Sequence, residues 1–150
     1  MNSELDASFV CTALMRIGTR MATVFDQHFA EMGVTQAQFR VLLAIHEKGR
    51  PEGISPSALA DHLLIERATV SVLTQRMVER SLLARTPGTN RRTFNLSLTE
   101  EGQTFLHRLI PQATLLANQT LSGISPGKLR DMQAALEVVE RRLRYSSQED

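Results

Sequence analysis

The chain has 150 residues, 42% hydrophobic and 22% charged, with 17 Lys and Arg against 16 Asp and Glu for a net charge of +1. That length suits one domain with ample material for a core, and the composition is that of an ordinary globular protein rather than a disordered or disulfide-built one. No apolar run approaches the ~20 residues of a membrane span and no signal-peptide pattern opens the chain, while the lone cysteine, Cys11, offers no internal disulfide; a cytoplasmic location with no membrane attachment is expected.

Residues 5–32 carry a proline-free helical pattern with Phe9, Ala13, Ile17, Val24, Phe25, His28 and Phe29 roughly on one side, and Gly33 stops it. Thr35 followed by Gln38 is a capping box, which predicts a second helix to about Lys48 burying Phe39, Leu42, Leu43 and Ile45. Residues 49–53 then read as a loop. A short helix opens at Ser55, with Pro56 where a missing N–H costs nothing, and ends near Leu63. The next helix places Val70, Leu73 and Met77 inward and leaves Arg67, Thr69, Ser71, Gln75 and Arg76 outward.

After Ser81 the period becomes alternating. Leu82 to Arg85 and Thr93 to Leu98 read as strands, with Phe94, Leu96 and Leu98 on one face. The turn Pro87-Gly88-Thr89-Asn90 is followed at once by Arg91 and Arg92. Residues 67–98 hold six Arg and one acid, Glu79, for a net +5, so the rest of the chain is net −4. Basic charge is thus concentrated on one helix and one hairpin, beside Arg, Gln, Ser and Thr side chains suited to base edges and phosphates.

Thr99 caps the following helix, with Glu100 and Glu101 near its positive end; it runs towards Leu121, and Pro111 inside it predicts a kink. Ser125-Pro126 starts the last helix, where Leu129, Met132, Leu136, Val139 and Leu143 recur at three and four residues, the spacing of a coiled-coil seam. A seam so regular, together with the apolar face of the first helix that includes Phe9, predicts that a second copy of the chain covers both. Residues 145–150 read as a polar tail.

The segments SPSALADHL, ERATVSVLTQRMVERSLLAR and NRRTFNLSLTEEG resemble the MarR family of winged helix-turn-helix transcription regulators, and the flanking helices fit that layout over most of the chain. The resemblance implies a mainly α fold with a small β-wing. One MarR-like domain is expected over residues 1–150, with the DNA-binding part at 34–98 and N- and C-terminal dimerisation helices at 5–32 and 99–145. It implies a homodimeric, ligand-responsive repressor of double-stranded DNA with a pseudo-palindromic operator. Ser57, Arg67, Thr69, Ser71, Gln75, Arg76, Asn90, Arg91 and Arg92 are the DNA-contact candidates. Two positions depart from the family pattern: Asn90 stands where an Asp usually pairs with the wing arginine, and Ser81 where a Gly commonly ends the recognition helix.

Rival chemistries find little support. There is no nucleophile elbow, glycine-rich phosphate loop or paired ligand motif, so no enzyme, catalytic residue or cofactor is expected. His28, His46, His62 and His107 are scattered in sequence without a carboxylate or thiolate at ligand spacing, so no metal site is expected. Cys11 reads as a small buried hydrophobe; the alternative is a thiol-based oxidative-stress regulator of the same fold. A helix-turn-helix protein-protein adaptor is a further alternative. Arg16 and Arg20, one turn apart, form salt bridges or face water, or bind the anionic group of a small aromatic effector of the kind the family resemblance implies.

Overall fold

A computed structural model describes residues 3–49 and 51–146. Six helices and one two-stranded antiparallel sheet follow in the order α1 (Ser3–Phe29), α2 (Gln36–Lys48), α3 (Pro56–Leu63), α4 (Arg67–Glu79), β1 (Leu83–Pro87), β2 (Phe94–Leu98), α5 (Glu100–Thr120) and α6 (Pro126–Ser146), with a 3-10 turn at Ala30–Met32. This is the mainly α fold with a small β-wing expected from the periodicities. The chain divides into two compact units, residues 1–39 and 40–150. No helix among the described residues is long and apolar enough to cross a membrane.

In the first unit α1 runs without interruption until Gly33 takes the left-handed conformation (φ 72°) and donates its N–H to the Ala30 carbonyl. Phe25, Phe29 and Phe39 form a chain of ring contacts, 6.2 and 5.1 Å between centroids, and Phe29 is fully buried. The capping box is present: the Gln38 N–H donates to Thr35 Oγ1 and the Thr35 N–H to Gln38 Oε1, both at 3.1 Å. A further cap comes from α1, where Asp26 Oδ1 accepts the Gln36 N–H at 2.7 Å. Carboxylate acceptors suit the positive end of a helix, so α1 helps start α2 as well as preceding it.

In the second unit the core gathers Val41, Leu42, Leu59, Val70, Met77 and Leu96, with Leu106 and Leu109 from α5. The α2 face differs in three positions from expectation: Val41 and Ala44 are also buried, whereas Leu43 is half-buried. Helices α3, α5 and α6 are each tied at their start by a side chain. Ser55 Oγ accepts the Ala58 N–H at 3.1 Å, Thr99 Oγ1 the Gly102 N–H at 2.9 Å, and Ser125 Oγ the Lys128 N–H at 3.3 Å. Helix α5 continues through Pro111 as one helix. A Cβ at Gly102 would collide with the Leu82 carbonyl, so only glycine lets α5 start this close to the wing.

Candidate nucleic-acid interface

Helix α3 packs on α4, and α4 is followed directly by the sheet. On α4, Val70, Thr74 and Met77 are buried and Leu73 is half-buried. Thr74 is therefore an inward residue that an apolar-stripe reading misses; its hydroxyl donates to the Val70 carbonyl at 2.8 Å, which removes the cost of burying it. Arg67, Thr69, Ser71, Gln75 and Arg76 are all exposed, and Ser57 on α3 is half-buried. Gln75 Nε2 lies 3.5 Å from Glu79 Oε1, a long hydrogen bond that leaves the amide open to exchange partners.

Helix α4 also begins unlike α3 or α5. Its N-cap is Glu66, which makes no side-chain cap hydrogen bond. The first-turn N–H groups are left without a capping side chain, beside the positively charged Arg67, and such an end receives an anionic oxygen well.

The wing is a short hairpin in the register Leu83 with Leu98 through Pro87 with Phe94. Leu96 is fully buried and Phe94 is part-exposed, with the Arg85 guanidinium 5.1 Å from its ring centroid. Behind the hairpin, Ile54 exchanges both backbone hydrogen bonds with Leu96, at 2.9 and 2.8 Å, which ties the wing to the segment before α3. At the tip, Asn90 Oδ1 accepts the Arg92 N–H at 2.9 Å. Asn90 thus holds a turn amide, and the Arg91 and Arg92 side chains stay exposed. Ser81 has φ 62°, the left-handed value expected where glycine is usual, and its carbonyl accepts the Thr99 hydroxyl at 2.6 Å.

The remaining candidates fall elsewhere. Arg16 and Arg20 are exposed on α1. Cys11 is exposed too, correcting the expectation of a buried thiol. Phe9 on α1 is 69% exposed, and on α6 Met132, Leu136, Val139 and Leu143 are exposed with Leu129 half-buried. Histidines distant in sequence do not all remain apart: Gln103 lies 3.2 Å from both His46 Nδ1 and His107 Nε2, and the two rings are 6.1 Å apart. No cluster of three metal-ligating side chains occurs among the described residues.

Sequence reading also missed Val72, an apolar side chain left 54% exposed on α4 among the polar ones. An apolar side chain in a polar, outward row was the available signal, because a thymine methyl is the apolar feature of the major groove. A cleft of about 950 Å³ lies between the end of α4, the start of β1 and α5, with Arg80, Arg108, Glu100, Glu101 and Phe105 among the residues that line it. The Arg80 guanidinium sits 5.9 Å from the Phe105 centroid.

A two-helix unit whose second helix turns a polar face outward, followed by a hairpin tipped with two arginines, is the architecture of a winged helix-turn-helix DNA-binding protein. The model of the MarR family matches residues 32–92, so this part of the chain is similar to that family. The transcriptional regulator PecS of Dickeya dadantii is 26% identical over 141 residues, which cover 93% of this chain and 85% of PecS. Among solved structures, Bordetella bronchiseptica BpsR, whose DNA binding is regulated by 6-hydroxynicotinic acid, is 26% identical with a TM-score of 0.74 over 88% of this chain and 93% of its own. S. aureus MepR, solved as a complex with DNA, is 20% identical with a TM-score of 0.75, covering 86% of this chain and 94% of its own.

Proposed function

We propose that this protein is a ligand-responsive transcriptional repressor that acts as a homodimer on a pseudo-palindromic operator. One observation carries the reading: the exposed polar face of α4, with its uncapped first turn, lies in the same unit as the exposed Arg91–Arg92 wing tip. Helix α4 enters the major groove, with Arg67 and Gln75 reading base edges and Val72 against a thymine methyl. Thr69, Ser71, Arg76 and Ser57 hold phosphates or bases, and Asn90, Arg91 and Arg92 take the adjacent minor groove. The match to the MarR family model and the likeness to the regulator PecS support a DNA-binding transcription factor.

Dimerisation is supported by the exposed apolar side chains of α1 and α6, Phe9, Met15, Met132, Leu136 and Leu143 among them. Apolar faces such as these are costly to leave in water, and a second copy of the chain covers each of them. Regulation by a small aromatic acid is supported by BpsR, with Arg16 and Arg20 as the proposed anion-binding pair on α1. The double variant Arg16→Ala/Arg20→Ala keeps DNA binding and loses the ligand response.

Selection of bound fragments from the source genome tests the proposal. Recovery of a pseudo-palindrome with half-sites one helical turn apart, roughly 34 Å, supports it, whereas a bound pool without sequence preference or two-fold symmetry overturns it. The exposure of Cys11 favours a second, thiol-based reading: peroxide then lowers DNA affinity in the wild type but not in Cys11→Ser.

A further inference from the structure

The carbonyl end of α3 is held by two guanidinium groups from distant parts of the second unit. Arg40 on α2 donates from Nη2 to the Leu63 carbonyl at 3.3 Å, and Arg144 near the end of α6 donates from Nη2 to the His62 carbonyl at 3.3 Å. The last carbonyls of a helix have no internal partner and carry its negative pole, so cations there satisfy both the hydrogen bonds and the field. Leu64, the next residue, stands at φ 56° in the left-handed region, which a leucine adopts only when its surroundings hold it there.

Arg144 differs from an ordinary helix-surface arginine in two ways. It reaches across 82 residues of sequence to a backbone carbonyl, with Glu140 one turn earlier on α6 steadying it by an ion pair at 3.5 Å. Its Nε is buried with no hydrogen-bond partner. A buried N–H without an acceptor opposes the arrangement and offsets part of what the bond to the His62 carbonyl contributes.

We propose that Arg144 is a positioning residue for DNA binding, fixing the end of α3 from α6 and so making the helix pair α3–α4 respond to the placement of α6. Arg144 touches no DNA in this scheme. It acts through the last turn of α3, whose bonds Ile65 N–H to Ala60 carbonyl (3.2 Å) and Leu64 N–H to Asp61 carbonyl (3.4 Å) close the helix. Because α6 carries the apolar stripe assigned to the second copy, the same contact links dimer geometry to the DNA-facing helices. The proposal rests on the DNA-binding reading above for its functional half only.

The test compares wild type, Arg144→Met, Arg144→Lys and Glu140→Gln on one selected duplex across a salt series, with amide hydrogen exchange on each free protein. In Arg144→Met the Ile65 and Leu64 amides exchange about tenfold faster, and DNA affinity falls about tenfold with an unchanged slope of log affinity against log salt. Arg144→Lys recovers part of both effects. Glu140→Gln shifts both in the same direction by less, and keeps the proposal testable should Arg144→Met fold poorly. Unchanged exchange at Ile65, or unchanged affinity alongside faster exchange, overturns it. So does a salt slope shallower by about one phosphate contact, which would make Arg144 a DNA ligand. Absence of DNA binding by the wild type would instead sink the functional reading, while the exchange data still decide whether Arg144 holds α3.

Discussion

The winged part and the last helix carry equally regular apolar patterns, yet the protein treats them in opposite ways. Of the residues expected inward on α4 and β2, Val70, Met77 and Leu96 are sealed from solvent, Leu73 and Leu98 are half-buried, and Phe94 is 36% exposed. On α6 the expected seam stays open: Met132, Leu136, Val139 and Leu143 are 40–55% exposed. Periodicity identifies which face of an element is apolar; whether the chain itself supplies the cover depends on what packs opposite. The contrast is what the proposed dimer accounts for, with a second molecule as the cover of α6, and the sharpest way to break it is to make the α6 face polar.

Leu136→Asp with Val139→Asp places four carboxylates in the proposed two-fold interface, and such a change should raise the dimer dissociation constant more than about a thousandfold. Sedimentation should show monomer with helical content retained. A wild type that is itself a folded monomer at micromolar concentration removes the basis of the comparison. Gln75→Ala comes next on the scale. Losing a bidentate base contact costs ~1–3 kcal/mol at one position per half-site, seen as a changed selected logo rather than a uniform loss. A preserved logo with lower overall affinity makes Gln75 a phosphate-positioning residue.

Arg92→Ala should have a smaller and different effect: about a several-fold loss on every duplex, with the salt slope shallower by about 0.9. Arg92 is exposed and its backbone amide is already held by Asn90, so truncating the side chain leaves the turn in place. Unchanged affinity at physiological salt would take Arg92 out of the interface.

Local signals were legible in the sequence because their partners are three or four residues away. The caps at Thr35, Ser55, Thr99 and Ser125 and the stop at Gly33 all follow from nearest-neighbour stereochemistry, whereas the left-handed Ser81 was suggested only by the family resemblance. Contacts set by tertiary packing were not. Asp26 capping α2, Ile54 bonding Leu96, Gln103 meeting His46, and Arg144 reaching His62 join residues 10 to 82 apart, and no spacing rule announces them. The DNA-contact candidates lie between these cases. Their exposure was readable from the helical period, whereas the buried hydroxyl of Thr74 and the exposed Val72 each break the apolar-in, polar-out pattern on which that reading rests.

Within the winged part itself, Ser81→Gly probes a residue that the core holds against its preference. Ser81 joins α4 to the wing at φ 62°, and glycine adopts that value without the side-chain clash. The bond from the Thr99 hydroxyl goes to the Ser81 carbonyl and survives the change. Stability should rise by about 0.5–1 kcal/mol in chemical denaturation, the relief being offset in part by the freer unfolded chain. No gain, or a loss, would mean that the serine side chain contributes something the backbone geometry does not show.

The smallest expected effect lies where α6 meets the winged part. His62 is half-buried at the end of α3, and burial, followed by the nearby charges of Arg144 and Lys48, lowers its pKa from the ordinary 6.5; Glu140 and Glu47 oppose this without overcoming it. The unfolded chain therefore takes up the His62 proton at a higher pH than the folded one does. As pH falls below about 6.5 the unfolded state binds more protons, so stability declines, and the decline levels off below the folded value. Partial exposure keeps the change modest. His62→Gln should flatten that part of the stability curve, measured by denaturant midpoint from pH 7.5 to 5, and Arg144→Met should flatten it less, since burial is the larger cause. If the wild-type curve is already flat through this window, His62 does not feel the charge of α6. If Arg144→Met steepens it, the guanidinium was not disfavouring the imidazolium, and the contact between α6 and α3 carries less electrostatic weight than its geometry indicates.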